Sequence, residues 1–173
     1  MSALRLINET TPTSVSSFQI NDVFTDDFDI YKIVISMGDS ATSDAWSMFR
    51  FVNSSGSLVT ASNYDVSQLA LYSNVAFTNY QAENQTELQY IFFDSDTGIG
   101  NGAVIYVFNP TNTSSYTTFL CQGNGFYDSN GMLSTKYTGI LKQTASMKGF
   151  GLRRTSGSYD SISVRTYGLR VDS

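Results

Sequence analysis

Met147-Lys148-Gly149-Phe150-Gly151-Leu152-Arg153-Arg154, followed by Ser161-Ile162-Ser163-Val164-Arg165-Thr166-Tyr167-Gly168-Leu169, carries the clearest strand signal in the chain. Ile162, Val164 and Thr166 fall on one side of an extended chain, and Ser163, Arg165 and Tyr167 on the other. That period of two marks a strand with one face buried. A Thr-Ser-Gly-Ser turn beginning at Thr155 separates the two runs, which are predicted to pair as a closing hairpin.

Working outward, the same signal recurs. Residues 31–37 form a β-branched run of strand length. In residues 45–52, Ser47, Phe49 and Phe51 share one face, and Trp46, Met48 and Arg50 the other. The turn at 53–57 predicts that 45–52 pairs with 58–61. Residues 88–93, 103–108, 116–122 and 135–144 read as further strands, and Pro110 ends the 103–108 run because it cannot donate to a ladder. Residues 4–20 read as two short extended segments around Thr10-Thr11-Pro12-Thr13. Residues 64–77 are ambiguous, since Val66, Leu69, Ala70 and Tyr72 fit a short helical turn while Val75-Ala76-Phe77 is strand-like. Turns recur at intervals of roughly ten residues with no long helical pattern between them. The expected fold is all-β: one antiparallel β-sandwich over residues 1–173, jelly-roll-like, with about eight to ten strands. Residues 1–20 are expected to form an N-terminal arm or an edge strand.

Composition narrows the function. Twelve Phe and eleven Tyr with two Pro suit many strands closed by Gly, Asn, Asp and Ser turns. A net charge of −5 with ten dispersed basic residues argues against nucleic acid as a partner. No apolar stretch approaches a membrane span, and no export signal is visible at the N-terminus. Histidine is absent and Cys121 is the one cysteine, which removes imidazole-based catalysis, an intrachain disulfide and Cys-based zinc sites. The three glutamates, Glu9, Glu83 and Glu87, lie in polar, loop-like sequence, where no apolar pocket would raise a carboxyl pKa for glycosidase chemistry. No enzyme, no catalytic residue and no cofactor is expected.

Candidate sites are therefore binding surfaces. Asp94 and Asp96 begin like a calcium loop, but the twelfth position is Ile105, where a bidentate Glu is needed, so a plain turn is the expectation and no metal site is assigned. The acidic run Asp22, Asp26, Asp27 and Asp29 reads as a solvated loop, a docking patch for a basic neighbour, or a metal site. Tyr64, Tyr72, Tyr80, Tyr127 and Tyr159 lie near turns, where they could stack on a glycan or sit half-buried on strands. Cys121 reads as a small buried hydrophobe.

Three places resemble small virion structural proteins of marine and cyanobacterial tailed phages. These are Phe28-Asp29-Ile30-Tyr31-Lys32-Ile33-Val34-Ile35; Met48-Phe49-Arg50-Phe51 with its Gly-containing turn and the later Tyr64; and Val104-Ile105-Tyr106-Val107-Phe108-Asn109-Pro110 together with Phe150-Gly151-Leu152 and Tyr167-Gly168-Leu169. The resemblance implies a non-enzymatic virion protein. The favoured expectation is a capsid decoration or cement subunit, a homotrimer on the capsid surface with the major capsid protein or other virion subunits as partners. Leu4, Leu6 and Ile7 would form the contacting arm, and Asp22, Asp26 and Asp27 the docking patch. The alternative is a fibre-tip, knob or tail-associated subunit that recognises a host glycan through the tyrosines above.

Overall fold

The computed structural model describes residues 4–38, 45–94, 100–127 and 131–169. Among them lie twelve strands: β1 (Leu4–Thr10), β2 (Ser17–Ile20), β3 (Ile30–Met37), β4 (Ala45–Asn53), β5 (Tyr64–Tyr72), β6 (Thr78–Gln85), β7 (Leu88–Asp94), β8 (Asn101–Phe108), β9 (Thr117–Tyr127), β10 (Gly131–Leu141), β11 (Met147–Arg154) and β12 (Ile162–Leu169). They build an eight-stranded sheet, β1-β12-β3-β8-β9-β10-β5-β6, and a four-stranded sheet, β2-β11-β4-β7. Twelve strands exceed the eight to ten expected, because two hairpins have been added to a simpler plan.

That plan is a jelly roll. The pairs β1:β12, β2:β11, β3:β8 and β4:β7 are all antiparallel and alternate between the two sheets, which is the wrapping of a double Greek key. β5-β6 is inserted between β4 and β7, and β9-β10 between β8 and β11. Both hairpins extend the large sheet beyond β8.

The closing hairpin expected from sequence does not form. β11 pairs with β2 and β4, whereas β12 pairs with β1 and β3 in the other sheet. Residues 155–161 cross between the sheets, and Tyr159 plugs the crossing. Its ring is fully buried, its N–H donates to the Val15 carbonyl at 2.7 Å, and its hydroxyl is 3.0 Å from Ser47 Oγ. The pairing of 45–52 with 58–61 also shrinks to a single bridge, Val52 to Leu58, because both edges of β4 are taken by β11 and β7.

The core lies between the sheets and is largely aromatic. Phe49 and Phe150 stack at 5.2 Å with planes 7° apart, and Phe51 and Phe119 meet Phe49 edge-on at 5.0 and 4.9 Å. The alternation of β12 is as expected, with Ile162, Val164 and Thr166 buried. Cys121 is buried too, and burial raises its thiol pKa well above the ordinary value.

Gly123-Asn124-Gly125 does not break a strand, since β9 runs through it. Those glycines are where β9 lies directly on β7: a Cβ on Gly125 would stand 2.5 Å from the Phe93 carbonyl oxygen, and one on Gly123 2.9 Å from that of Ile91. Backbone cannot yield as a side-chain tip can. Gly125→Ala is therefore expected to destabilise by about 1–3 kcal/mol, against about 3–5 kcal/mol for Phe49→Ala, both read by chemical denaturation.

Candidate functional site

The strand register places the outward side chains of the large sheet in rows. One row crosses all eight strands: Leu6, Tyr167, Lys32, Tyr106, Leu120, Thr138, Ser67 and Gln81 are successive partners. Over the inserted hairpins this face opens into a trough of about 690 Å3. Its walls carry Ser67, Gln81, Glu83, Thr118 and Thr138, with Asp65 at one end. Hydroxyls, an amide and carboxylates thus line it, and an adjoining depression reaches Leu120 and Lys136. Beyond Leu120 the same row continues into the half-buried rings of Tyr106 and Tyr167 with Lys32 between them. Adjacent strands are about 4.8 Å apart, so the two tyrosines are set at backbone positions about 10 Å apart.

One end of the trough is rigid. A bulge in β6 leaves Asn84 at φ 55°, and its N–H donates to Asp65 Oδ1 at 2.8 Å. Lys142 Nζ donates to Asp65 Oδ1 and to Asn84 Oδ1, each at 2.9 Å. The hydrogen bond from Lys142 holds the Asp65 carboxyl below the usual carboxylate range.

The outer face of the small sheet carries a second feature, a groove of about 270 Å3. Glu87 lies in it and is only 3% exposed. Arg153 Nε donates to Glu87 Oε2 at 2.9 Å and its Nη2 to Oε1, while Arg50 Nη2 lies 3.2 Å from Oε2. Glu87 lies in the link between β6 and β7, and β4, β7 and β11 close around it, so that it is buried among two arginines and not in an apolar pocket. Its neighbours Asn84, Gln85 and Thr86 are polar, so the sequence gives no sign of this.

The residues singled out from sequence fare unevenly. Leu4 and Leu6 are exposed on β1, 38% and 50%, while Ile7 packs against the core. They belong to an edge strand bound to β12, not to a free arm. Asp22, Asp26 and Asp27 are exposed, but Val23 and Phe24 between them are buried, and Asp22 pairs with Lys148 at 3.1 Å. Thr25 Oγ1 donates to Asp27 Oδ2 at 3.2 Å.

Tyr64 and Tyr159 cannot stack on a glycan, because both are fully buried. The Tyr64 hydroxyl accepts from Phe51 N–H at 3.0 Å and donates to the Val59 carbonyl at 3.2 Å, with its pKa raised by burial. Tyr72 packs partly buried beside Ala70, Phe93 and Leu133, and the Tyr80 hydroxyl donates to Gln89 Oε1 at 2.7 Å. The side chain of Tyr127 and the loop holding Asp96 lie outside the described residues. No group of three or more metal-ligating side chains is found among the described residues, and no helix is long and apolar enough to cross a membrane. Sequence reading missed Tyr106 and the trough, since 103–108 is apolar throughout and shows no face.

The Asp65–Lys142 pair gives a pH test. Because the folded carboxyl titrates below the ordinary value of 3.8, its contribution is present above that value and is lost as pH falls through the lower folded one. Asp65→Asn should cost about 0.5 kcal/mol at neutral pH, and the gap from wild type should close in acid. Denaturation midpoints followed down the acid limb check this.

No protein-family model matches the chain, and no curated protein matches it. Among solved structures it is similar to an exo-inulinase from Aspergillus awamori, at 15% identity over 96% of this chain and 29% of that one, with a TM-score of 0.47. The chain thus spans less than a third of that enzyme's length. It is also weakly similar to the CBM2 module of the Lactobacillus casei BL23 phage J-1 evolved Dit, at 15% identity over 91% of this chain and 70% of that one, with a TM-score of 0.35. Likenesses this distant carry no argument about function, which has to come from the surfaces themselves.

Proposed function

We propose that this chain is a non-enzymatic jelly-roll subunit of a tailed-phage particle that recognises a host-surface glycan on the outer face of its large sheet. The observation that carries the reading is the row running from Gln81, Ser67 and Thr138 to Tyr106 and Tyr167. Sugars present hydroxyl edges and apolar C–H faces. The trough offers hydroxyl, amide and carboxylate partners for the edges, and the tyrosine rings offer flat surfaces for the faces. The phage assignment rests on the resemblance of the sequence stretches quoted above. The glycan site moves from the tyrosines near the turns to the outer face of the large sheet, with its polar trough on the inserted hairpins and its two rings on the jelly-roll strands β8 and β12.

A second reading, capsid decoration, draws on β1, which is the end strand of the large sheet and carries the exposed Leu4 and Leu6. Such an edge can accept a strand from a neighbouring subunit. In that case the protein would sit on the shell as an oligomer such as a trimer, in hundreds of copies.

An array of immobilised oligosaccharides tests the first reading. The expected result is retention on a defined glycan class, weakened about tenfold or more by Tyr106→Ala or Thr138→Arg, with thermal midpoints close to wild type. Failure to bind any glycan, combined with dense shell occupancy in purified virions, would replace it with the second.

A further inference from the structure

We propose that the groove on the small sheet is a separate binding site for an acidic sugar residue, a pyranose bearing a carboxylate, with Arg50 and Arg153 as the recognising groups. The groove's floor is Gly151, which lies in one row with Gln19 on β2 and Arg50 on β4. A Cβ at Gly151 would come within 2.7 Å of Leu58 Cδ2, so the absent side chain is what keeps the floor open beneath Leu58.

Charge sets the ligand class. Two guanidinium groups face one carboxylate, which leaves one positive charge in excess among the groove's lining residues. The Glu87 side chain is 4% exposed, whereas those of Arg50 and Arg153 are 24% and 40% exposed. The negative partner is covered and the positive ones are presented. In a chain of net charge −5, this is a local reversal of sign.

Donor accounting agrees. Arg50 spends Nε on the Thr86 carbonyl at 3.2 Å and one Nη2 hydrogen on Glu87. Arg153 spends Nε and Nη2 on Glu87, and Nη1 on the Arg154 carbonyl at 3.4 Å. Each guanidinium has five N–H groups, so about half of the ten remain for a ligand. Glu87 fixes both groups in place beforehand, which lowers the ordering cost when a carboxylate binds between them.

Size and lining favour a sugar over an acidic peptide. A volume of about 270 Å3 suits one ring with its substituents. Leu58 and Met48 give apolar surface for a ring face, and the Ser17 hydroxyl and the Gln19 side-chain carbonyl serve its edge, the Gln19 Nε2 being held by the Gly56 carbonyl at 2.9 Å.

Calorimetric titration with a galacturonic-acid trimer, a neutral galactose trimer and triglutamate tests the assignment on the full chain. The uronic trimer should bind, and should weaken about tenfold or more with Arg153→Gln and again as ionic strength rises. Because Arg153→Gln also disturbs Glu87, Leu58→Trp serves as the second variant: it fills the groove without touching the ion pairs, and should likewise abolish binding. The neutral trimer should show no loss on either change, and Tyr106→Ala should leave uronic binding intact, which separates this site from the trough. Absence of uronic binding, or binding that survives Leu58→Trp, overturns the proposal. Triglutamate binding as tightly as the uronic trimer overturns the sugar assignment in favour of a protein carboxylate.

Discussion

The fold depends on where its last two strands go. β11 lies between β2 and β4, and β12 between β1 and β3, so the ladder partners of both N-terminal strands come from the C-terminal end of the chain. Until residues 147–169 arrive, β1 and β2 have no ladder partner. Each sheet is closed by contacts of high sequence separation, and loop-closure entropy must be met before those contacts form, which makes such topologies slow to fold. The inserted hairpins are different. β5-β6 and β9-β10 pair locally and then join to each other through β10 and β5.

The aromatic composition finds its explanation in the interior. Phe49, Phe51, Phe119 and Phe150 meet across the sandwich, and three buried tyrosines add polar tips that pin irregular chain to this cluster. Tyr31 Oη donates to the Thr25 carbonyl at 2.5 Å and accepts from Thr25 N–H at 2.7 Å. Tyr64 does the same between the Phe51 N–H and the Val59 carbonyl, and Tyr159, which lies in the crossing after β11, ties that crossing to Ser47 Oγ on β4. A phenol can bury its ring in the core and still satisfy a loop's backbone groups, which Phe cannot. Position beside a turn is therefore no sign of a surface ring: these tyrosines lie close to turns because their hydroxyls hold the loops down.

Strands with a clean alternation were legible from sequence, and the partners of those strands were not. β3 and β12 show one apolar face each, and the structure buries that face. β5 was ambiguous because Leu69 and Leu71 point outward, so the apolar residues no longer alternate and their spacing mimics a helical turn. β6, Thr-Asn-Tyr-Gln-Ala-Glu-Asn-Gln, was invisible because an edge strand exposed along most of its length has no face to bury. Turn chemistry says that the chain reverses, but not whether it returns to the same sheet. That is why both the 45–61 and the 147–169 hairpins were misjudged. The groove was illegible for a related reason: Glu87 is buried by Arg50 and Arg153, 37 and 66 residues away in sequence, and no local pattern encodes their meeting.

The trough and the groove lie on opposite sheets, yet one short link positions both. Asn84, at the bulge in β6, closes the rigid end of the trough with Asp65 and Lys142. Three residues later Glu87 anchors the groove, and between them the Thr86 carbonyl accepts from Arg50 Nε. Asn84 holds a left-handed backbone conformation that Asn tolerates better than most residues. Its hydrogen bonds and those of Glu87 fix this link at both ends, so the inserted hairpin cannot shift on the small sheet without breaking one set or the other. The insertion that builds the trough is thereby tied to the ion pairs that shape the groove, and the distance between a surface lined by hydroxyls and carboxylates and a cationic one is set by the fold.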